Sequence, residues 1–422
     1  MTAADAADLI ATLEDRTIIR DRVRAELATR GLDGYLGFTP SNVAYLSGYV
    51  SYFLSSWWRM HGTVMVALNT DAAAQPVLVL GDAEKVSALD AAIGCDVRAY
   101  PMWVETRGYA EIIVEPGAEA SRPTQWNEDD IDRFFIDALD ALGLRSGRVG
   151  TDLRHMPHHT VERLRRIAPE VEWVDFTTEM YGIRAVKLPF EIERLRAAAE
   201  LAEAGMTTAA ALATEGTTLG AIRAGFFAGV AEAAQSDPKY GEFSDLWVLP
   251  GMGSQSSIAS ATAGSDGMKA GDLLKFDCGT TVGGYRSDHG RTFVLGEPSE
   301  QAATLYDDLS AAHALAVATM RPGAPISGPF TTAQAYMQER GYPGYRRGHY
   351  GHSLGLDSFH EEPPFLGPDE PGVFEAGMIF AVETPFYGSD LGPIMLEDLV
   401  LVTADGPEYI TSLPRTLMQA GG

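Results

Sequence analysis

"LLKFDCGTTVGGYRSDHGRTF", residues 273–293, reads as a β-hairpin that carries an aspartate in each arm. Asp277 follows the run Leu273-Leu274-Lys275-Phe276, and Asp288 stands just before Arg291-Thr292-Phe293-Val294-Leu295. Strand interiors are poor in Asp, because a half-buried pleat leaves an unpaired carboxylate without water. Three later stretches repeat the oddity. "RRGHYGHSLGLDSFHEEPPF" (346–365) sets histidines in a glycine-rich loop before an acidic pair. "GMIFAVETPFY" (377–387) puts Glu383 on the face of Ile379 and Ala381, and "PIMLEDLVLVT" (393–403) puts Glu397 on the face of Leu399 and Leu401.

Four carboxylates converging on one small site repel, and some would take up protons. Two divalent cations bring +4 against −4 and remove the conflict. A neutral imidazole from the glycine-rich loop completes the set, and oxygen-rich ligation suits Mn²⁺, Fe²⁺, Co²⁺ or Zn²⁺.

The rest of the chain is consistent with an enzyme in water. Its 422 residues exceed one ordinary core, and 45% hydrophobic content describes a globular protein. No apolar run reaches the roughly 18–20 residues that cross a bilayer, and the acidic, helical start (residues 5–31) is no signal peptide. The expected location is the cytoplasm, with no membrane partner. A net charge of −26 repels phosphate backbones and excludes nucleic acid as a partner. The two cysteines, Cys95 and Cys278, form no ligand-spaced cluster, and Cys278 reads as a small buried hydrophobe. Strands and helices alternate to about residue 175, an α/β pattern, with 104–127 as a surface excursion. From 187 helices group and then strands group, an α+β pattern. The boundary falls near 180–186, giving domains 1–182 and 183–422.

The order "DCG", "SDHGRT", "GHSLG", "VETP", "LED" resembles the pita-bread metallopeptidase superfamily of methionine aminopeptidase, aminopeptidase P, Xaa-Pro dipeptidase and creatinase. "TPSNVAYLSGY" and "GIRAVKLPFEIERLRAAAELAEAGM" look like that family's N-terminal domain and linking helix, so the resemblance covers the whole chain. It implies a creatinase-like α/β N-terminal domain and an α+β pita-bread catalytic domain. It also implies Asp277, Asp288, His352, Glu383 and Glu397 as ligands of two divalent ions, manganese first, with Asp288 and Glu397 bridging. The implied reaction is hydrolysis of a C–N bond in a short peptide or small-molecule amide by a metal-bridging hydroxide. Glu383 would shuttle the proton to the leaving nitrogen, and His360 of "HEEP" would hydrogen-bond the substrate, beside His352 at the metal.

Three departures from the pattern bear on the substrate. The histidine that the peptidases carry before the first Asp is replaced within "SIASAT", by Ser260 or a neighbour. His360 follows His352 by eight residues where the family shows seven. Met395 stands where dipeptidases have an arginine, and Arg346, Arg347 or Arg59 could supply that charge from another loop. Trp57, Trp58 and Arg59 in "SYFLSSWWRMHG" (51–62), with Tyr285, His349, Phe386 and Met395, are candidate pocket walls; the first three would reach a partner's site in a homodimer, as in creatinase-like relatives. The competing readings on this scaffold are a creatinase-like or ectoine-hydrolase-like C–N hydrolase, a dimethylsulfoniopropionate-type lyase, whose first motif runs D-x-D, and a catalytically inactive binding module.

Overall fold

The computed structural model describes residues 9–103, 108–114, 124–125, 127–253, 267–357, 361–388 and 390–421, with the side chains of Trp58 and Glu111 outside that set. His360, Ser260 and most of the 104–127 excursion therefore lie outside the described residues. The chain forms two compact units, Ala11–Ile183 and a second one, Arg184–Gly422, that also takes in Leu9 and Ile10.

The N-terminal unit is built on one mixed sheet of β1 (Gly34–Gly37), β2 (Met65–Asn69), β3 (Val77–Gly81), β4 (Asp96–Tyr100), β5 (Ser146–Thr151) and β6 (Glu170–Asp175), in the order β4-β3-β2-β1-β5-β6. β1 to β3 are almost entirely buried, as unbroken apolar runs in a sheet covered on both faces should be. Leu36, Val79, Phe135, Leu139 and Leu164 form its core with the helices Glu128–Leu142 and His158–Ile167. Of the helix read over 5–31, residues 5–8 lie outside the described residues, 9–12 are not helical, and the helix runs Leu13–Arg30. The cause is a reciprocal cap: Thr12 Oγ1 accepts the Asp15 N–H (3.1 Å), and Asp15 Oδ2 accepts the Thr12 N–H (2.8 Å). The helix Thr177–Ala185 has no counterpart in the sequence reading.

The C-terminal unit begins its long helix Pro189–Ala211 at a proline, with Glu191 Oε2 accepting the Leu188 N–H at 2.7 Å. Three sheets follow. One is β7 (Phe243–Val248) with β10 (Cys278–Val282) and β11 (Tyr285–Arg286). The second joins β8 (Gly251–Met252), β9 (Leu273–Lys275), β12 (Thr292–Leu295) and β20 (Met418–Ala420). The third, in the order β14-β13-β15-β18-β19, uses β13 (Gly351–Ser353), β14 (Glu362–Phe365), β15 (Ile379–Glu383), β18 (Glu397–Thr403) and β19 (Gly406–Tyr409). A short pair, β16 (Phe386–Tyr387) and β17 (Pro393–Ile394), completes the strands. The helices Glu300–Ala318 and Gly328–Glu339 share a core with β15 and β18 through Leu309, Phe380, Val382 and Val400.

The opening stretch is not one continuous hairpin. β9 pairs with β12, while β10 and β11 belong to a different sheet. Asp277 and Asp288 occupy the two breaks where the chain passes from one sheet to the other. A carboxylate in a break can turn inward without displacing a side chain from a packed pleat. Gly279 permits the crossing, because a Cβ there would meet Ser287 O at 1.8 Å.

Candidate metal centre

The backbone brings the predicted acids together from three segments. Gly290 and Glu397 exchange hydrogen bonds (Gly290 N–H to Glu397 O, 3.2 Å; Glu397 N–H to Gly290 O, 3.1 Å), which sets the Asp288 break against the start of β18. Glu383 and Glu397 are directly paired across β15 and β18, and His352 lies opposite Ala381 on β13. The Gly351 before it adopts φ 139°, and a Cβ there would meet Ala381 O at 2.0 Å. Like charges facing each other across a ladder are destabilising, so this pairing needs a compensating cation.

Asp288, His352 and Glu397 are buried, and one ligand atom from each lies within 4.8 Å of the others. His352 Nδ1–H donates to Ser353 O (2.9 Å), which directs Nε2 to Asp288 Oδ2 at 3.5 Å. That is the tautomer a metal-binding imidazole needs, with its far nitrogen anchored by a carbonyl. Burial pushes the Asp288 carboxyl up to about 7, with the His352 hydrogen bond opposing and the Asp277 charge adding to the shift. Burial pushes Glu397 well above the carboxylate range, helped by the charges of Asp288, Glu383 and Asp277. Burial works against a charge on His352, but the Asp288 hydrogen bond overcomes it and raises the imidazole to about 9. Buried acids that hold protons in this way are ones a divalent cation would ionise, and the three residues fit such an ion.

Asp277 and Glu383 stand outside that triad, each on a basic side chain. Lys275 Nζ is 2.9 Å from Asp277 Oδ2, and Arg347 Nη2 donates to Glu383 Oε1 at 2.6 Å. His349 Nδ1 is 3.4 Å from the same oxygen, and burial, Arg347 and His352 hold its imidazole down to about 4. Lys275 has a sequence signal, since it precedes Asp277 by two and shares its face. Arg347 does have the position to bring charge from another loop.

The remaining candidates are scattered. Met395 is buried, its N–H bonded to Thr292 Oγ1 (2.8 Å), with its side chain against Gly290. The buried Tyr285 hydroxyl donates to Glu191 Oε1 (2.9 Å), and Phe386 on β16 is half-buried. Trp57 belongs to the N-terminal unit, 40% exposed and stacked on Trp103 with centroids 5.8 Å apart; Arg59 is exposed in the same unit. Cys278 is buried among Phe276 and Phe293, and burial pushes its thiol well up, as in a core residue.

The sequence reading assigned no role to Arg291 and Asp398, neighbours of the candidate ligands in "SDHGRT" and "LED". Arg291 is fully buried and uses all five of its N–H donors. They reach Pro414 O (3.0 Å), Gly290 O (2.8 Å), Glu397 O (2.6 Å), Leu413 O (2.9 Å) and Asp398 Oδ1. Burial alone would raise Asp398, but Arg291, His313 and Arg415 hold it well below the usual carboxylate range. The pair ties together the two segments that carry Asp288 and Glu397.

Carboxylates and an imidazole converging on the strands of an α+β unit, in a chain whose other unit is α/β, are the features of a metallohydrolase of pita-bread fold. Residues 193–404 match metallopeptidase family M24, and residues 20–186 match the creatinase/prolidase N-terminal domain. The chain belongs to metallopeptidase family M24. An uncharacterized peptidase of Staphylococcus aureus (strain MW2) is 31% identical over 283 residues, 66% of this chain and 78% of the relative. An uncharacterized peptidase of Bacillus subtilis (strain 168) is 26% identical over 67% of this chain and 77% of its own. Among solved structures, a Xaa-Pro dipeptidase from Bacillus anthracis superposes with TM-score 0.76 at 19% identity, covering 96% of this chain and 99% of its own. The prolidase from Pyrococcus horikoshii OT3 gives 0.75 at 20%, covering 95% and 99%. These likenesses establish the two-domain fold.

Proposed function

We propose that this protein is a metal-dependent hydrolase that cleaves a C–N bond in a short peptide or small-molecule amide. The observation that carries the reading is the buried triad Asp288, His352 and Glu397, with ligand atoms within 4.8 Å of one another. A divalent cation held there, manganese first and zinc, cobalt or iron as alternatives, would supply Lewis acidity toward the scissile carbonyl. Glu383 carries the proton to the leaving nitrogen, from a carboxylate whose Oε1 is oriented by Arg347 Nη2. His349, kept neutral by burial and by Arg347, accepts the Gly351 N–H at Nδ1 (3.2 Å) and brings no charge to the same oxygen, 3.4 Å away. His360 keeps its sequence-based role as a substrate hydrogen-bonding group.

The substrate reading follows from the same residues. The family arginine is replaced by a buried Met395, so a free carboxylate on the substrate depends on Arg347, already engaged by Glu383. Simple Xaa-Pro dipeptides are therefore expected to be poor substrates, and less charged amides better ones. The protein is proposed to work in the cytoplasm as a homodimer. Among the described residues no helix is long and apolar enough to cross a membrane. Val50, Tyr52 and Trp57 form an exposed apolar group in the N-terminal unit that supports pairing.

The test is a panel of Xaa-Pro dipeptides, other short peptides and N-acyl amides, run with Mn²⁺-supplemented and chelator-treated protein. Mn²⁺-dependent release of an amine that disappears in Glu397→Ala is the expected result. Full turnover by chelator-treated protein would favour a metal-independent, creatinase-like hydrolase.

A further inference from the structure

We propose that the sheet face carrying Asp288 is a recognition ledge, where Arg286 and Trp247 hold the non-reacting part of the substrate, a flat group bearing an uncharged oxygen acceptor. This deepens the hydrolase reading and rests on it, because the ledge selects a substrate only if Asp288 helps to hold a metal ion at the reacting end.

The ledge follows from strand register. In the sheet β11-β10-β7, Thr281 pairs with Arg286 on one side and Asp245 on the other, while Gly279 pairs with Trp247. The bridge between Cys278 and His289 continues that register and sets Asp288 opposite Gly279. One face therefore carries two rows, Asp245–Thr281–Arg286 and Trp247–Gly279–Asp288. The other face packs on the helix Pro189–Ala211. Cys278, Val282, Leu246 and Val248 share a core with Ala198, Thr280 Oγ1 donates to Ala198 O (2.8 Å), and the Tyr285 hydroxyl donates to Glu191. The ledge faces away from that helix and runs from buried Asp288 through half-buried Trp247 and Thr281 to exposed Asp245. Gly279 leaves room for the indole, whose Nε1 would lie 2.6 Å from a Cβ at that position.

Arg286 stands over the Trp247 ring, its Cζ 5.5 Å from the centroid. Its side chain is 17% exposed and makes one described hydrogen bond, from Nη1 to Asp245 Oδ2 at 3.2 Å. Nε is buried without a partner among the described residues. Asp245 is 62% exposed, and an ion pair to so exposed a carboxylate adds little stability. A structural tie therefore explains this arginine poorly. Its planar fork of donors suits a bound acceptor better. Asp245 offsets the charge and leaves donors over, which favours an uncharged oxygen above a carboxylate. Indole and guanidinium both present flat surfaces, on which a planar group stacks. Arg286 and Asp288 are two residues apart, roughly 6–7 Å along extended chain, a span that one ring bridges. The substrate class is an amide with a planar group beside the scissile bond and a carboxamide-type oxygen at the far end of that group.

The experiment is calorimetric titration of the full-length, Mn²⁺-loaded chain with hydroxamates, which bind the ion at one end and test the ledge at the other. The probes are benzohydroxamate, its para-carbamoyl and para-carboxylate derivatives, and cyclohexanecarbohydroxamate. The wild type is expected to hold the para-carbamoyl compound about tenfold more tightly than benzohydroxamate, the worth of one hydrogen bond to a charged group. The para-carboxylate should bind no better than the para-carbamoyl compound, and the cyclohexane compound more weakly than benzohydroxamate. Arg286→Met should remove the carbamoyl advantage, and Trp247→Leu the advantage of the flat ring. Asp245→Asn, at an exposed position, should turn the preference toward the carboxylate by leaving the Arg286 charge unopposed. Titration with Mn²⁺ alone shows that each variant still loads the ion. A carbamoyl advantage that is missing in the wild type, or that persists in Mn²⁺-loaded Arg286→Met, would overturn the ledge. So would a wild-type preference for the carboxylate. Should Arg286→Met fail to load the ion, Asp245→Asn decides, and an unchanged preference in it would overturn the ledge. The expected ranking without hydrolysis of any amide would refute the proposed function and leave the ledge standing, whereas a wild type that binds no Mn²⁺ would refute both.

Discussion

Replacing Arg291 by lysine separates two accounts of why that residue is buried. Lysine keeps the positive charge beside Asp398, so an ion-pair account predicts almost no change. The fork account predicts a large one. Arg291 donates five hydrogen bonds, to Pro414, Gly290, Glu397, Leu413 and Asp398, and an ammonium has three donors. At least two charge-assisted bonds are lost, at about 1.5–3 kcal/mol each, so the expected destabilisation is about 3–6 kcal/mol. For a unit the size of Arg184–Gly422, each kcal/mol moves the melting point by roughly 2–4 °C, so a fall of at least about 6 °C is expected. The bonds to the Gly290 and Glu397 carbonyls also hold the Asp288 and Glu397 segments in register, so Mn²⁺ affinity should drop by roughly 10–100-fold. Urea unfolding followed by circular dichroism gives the first quantity and calorimetric titration the second. A folded Arg291→Lys protein within about 1 kcal/mol of wild type, with unchanged Mn²⁺ affinity, would refute the argument.

Other outcomes follow from the same structure. His313 donates from Nε2 to Val382 O (3.0 Å), and burial holds its imidazole down to about 4. A depressed folded-state pKa contributes stability that is present above the unfolded value near 6.5 and lost as pH falls toward 4. His313→Gln should reduce the acid sensitivity in that window by about 3 kcal/mol, measured as unfolding free energy at pH 7 and pH 4. Mn²⁺ at about a hundred times its dissociation constant should stabilise the protein by roughly 2.7 kcal/mol, measured as the difference between metal-loaded and metal-free protein, a difference that His352→Ala abolishes. Sedimentation should give a dimer, and Trp57→Glu, placing charge on an exposed aromatic, should shift it toward monomer; a wild-type monomer with full activity would exclude the proposed assembly.

Much of the site was legible because its chemistry is local. Carboxylates at Asp277, Asp288, Glu383 and Glu397 stand out against apolar strands, and His352 stands out between glycines. The order of these short motifs was enough to indicate the family and both domains. The bases were harder to place. Lys275 sits in the same alternation as Asp277 and could have been read from it, whereas the Arg347–Glu383 contact joins residues 36 apart that no local pattern relates. Residues 9–12, read as part of the helix 5–31, are not helical because the Thr12–Asp15 cap starts the described helix at Leu13.

The sequence by itself determined which residue types could serve as ligands, where apolar runs would form strands, and that the carboxylates required positive charge. Only the tertiary structure decided how that charge is supplied. The aspartates lie in breaks between two sheets and not within one hairpin, because β9 pairs with β12 while β10 pairs with β7 and β11. Three candidate ligands converge while two rest on Lys275 and Arg347. The physical reason is that residue type fixes what a side chain can bind, whereas a Coulomb interaction depends on distance and burial, and both are set by strand pairing between segments far apart in the chain.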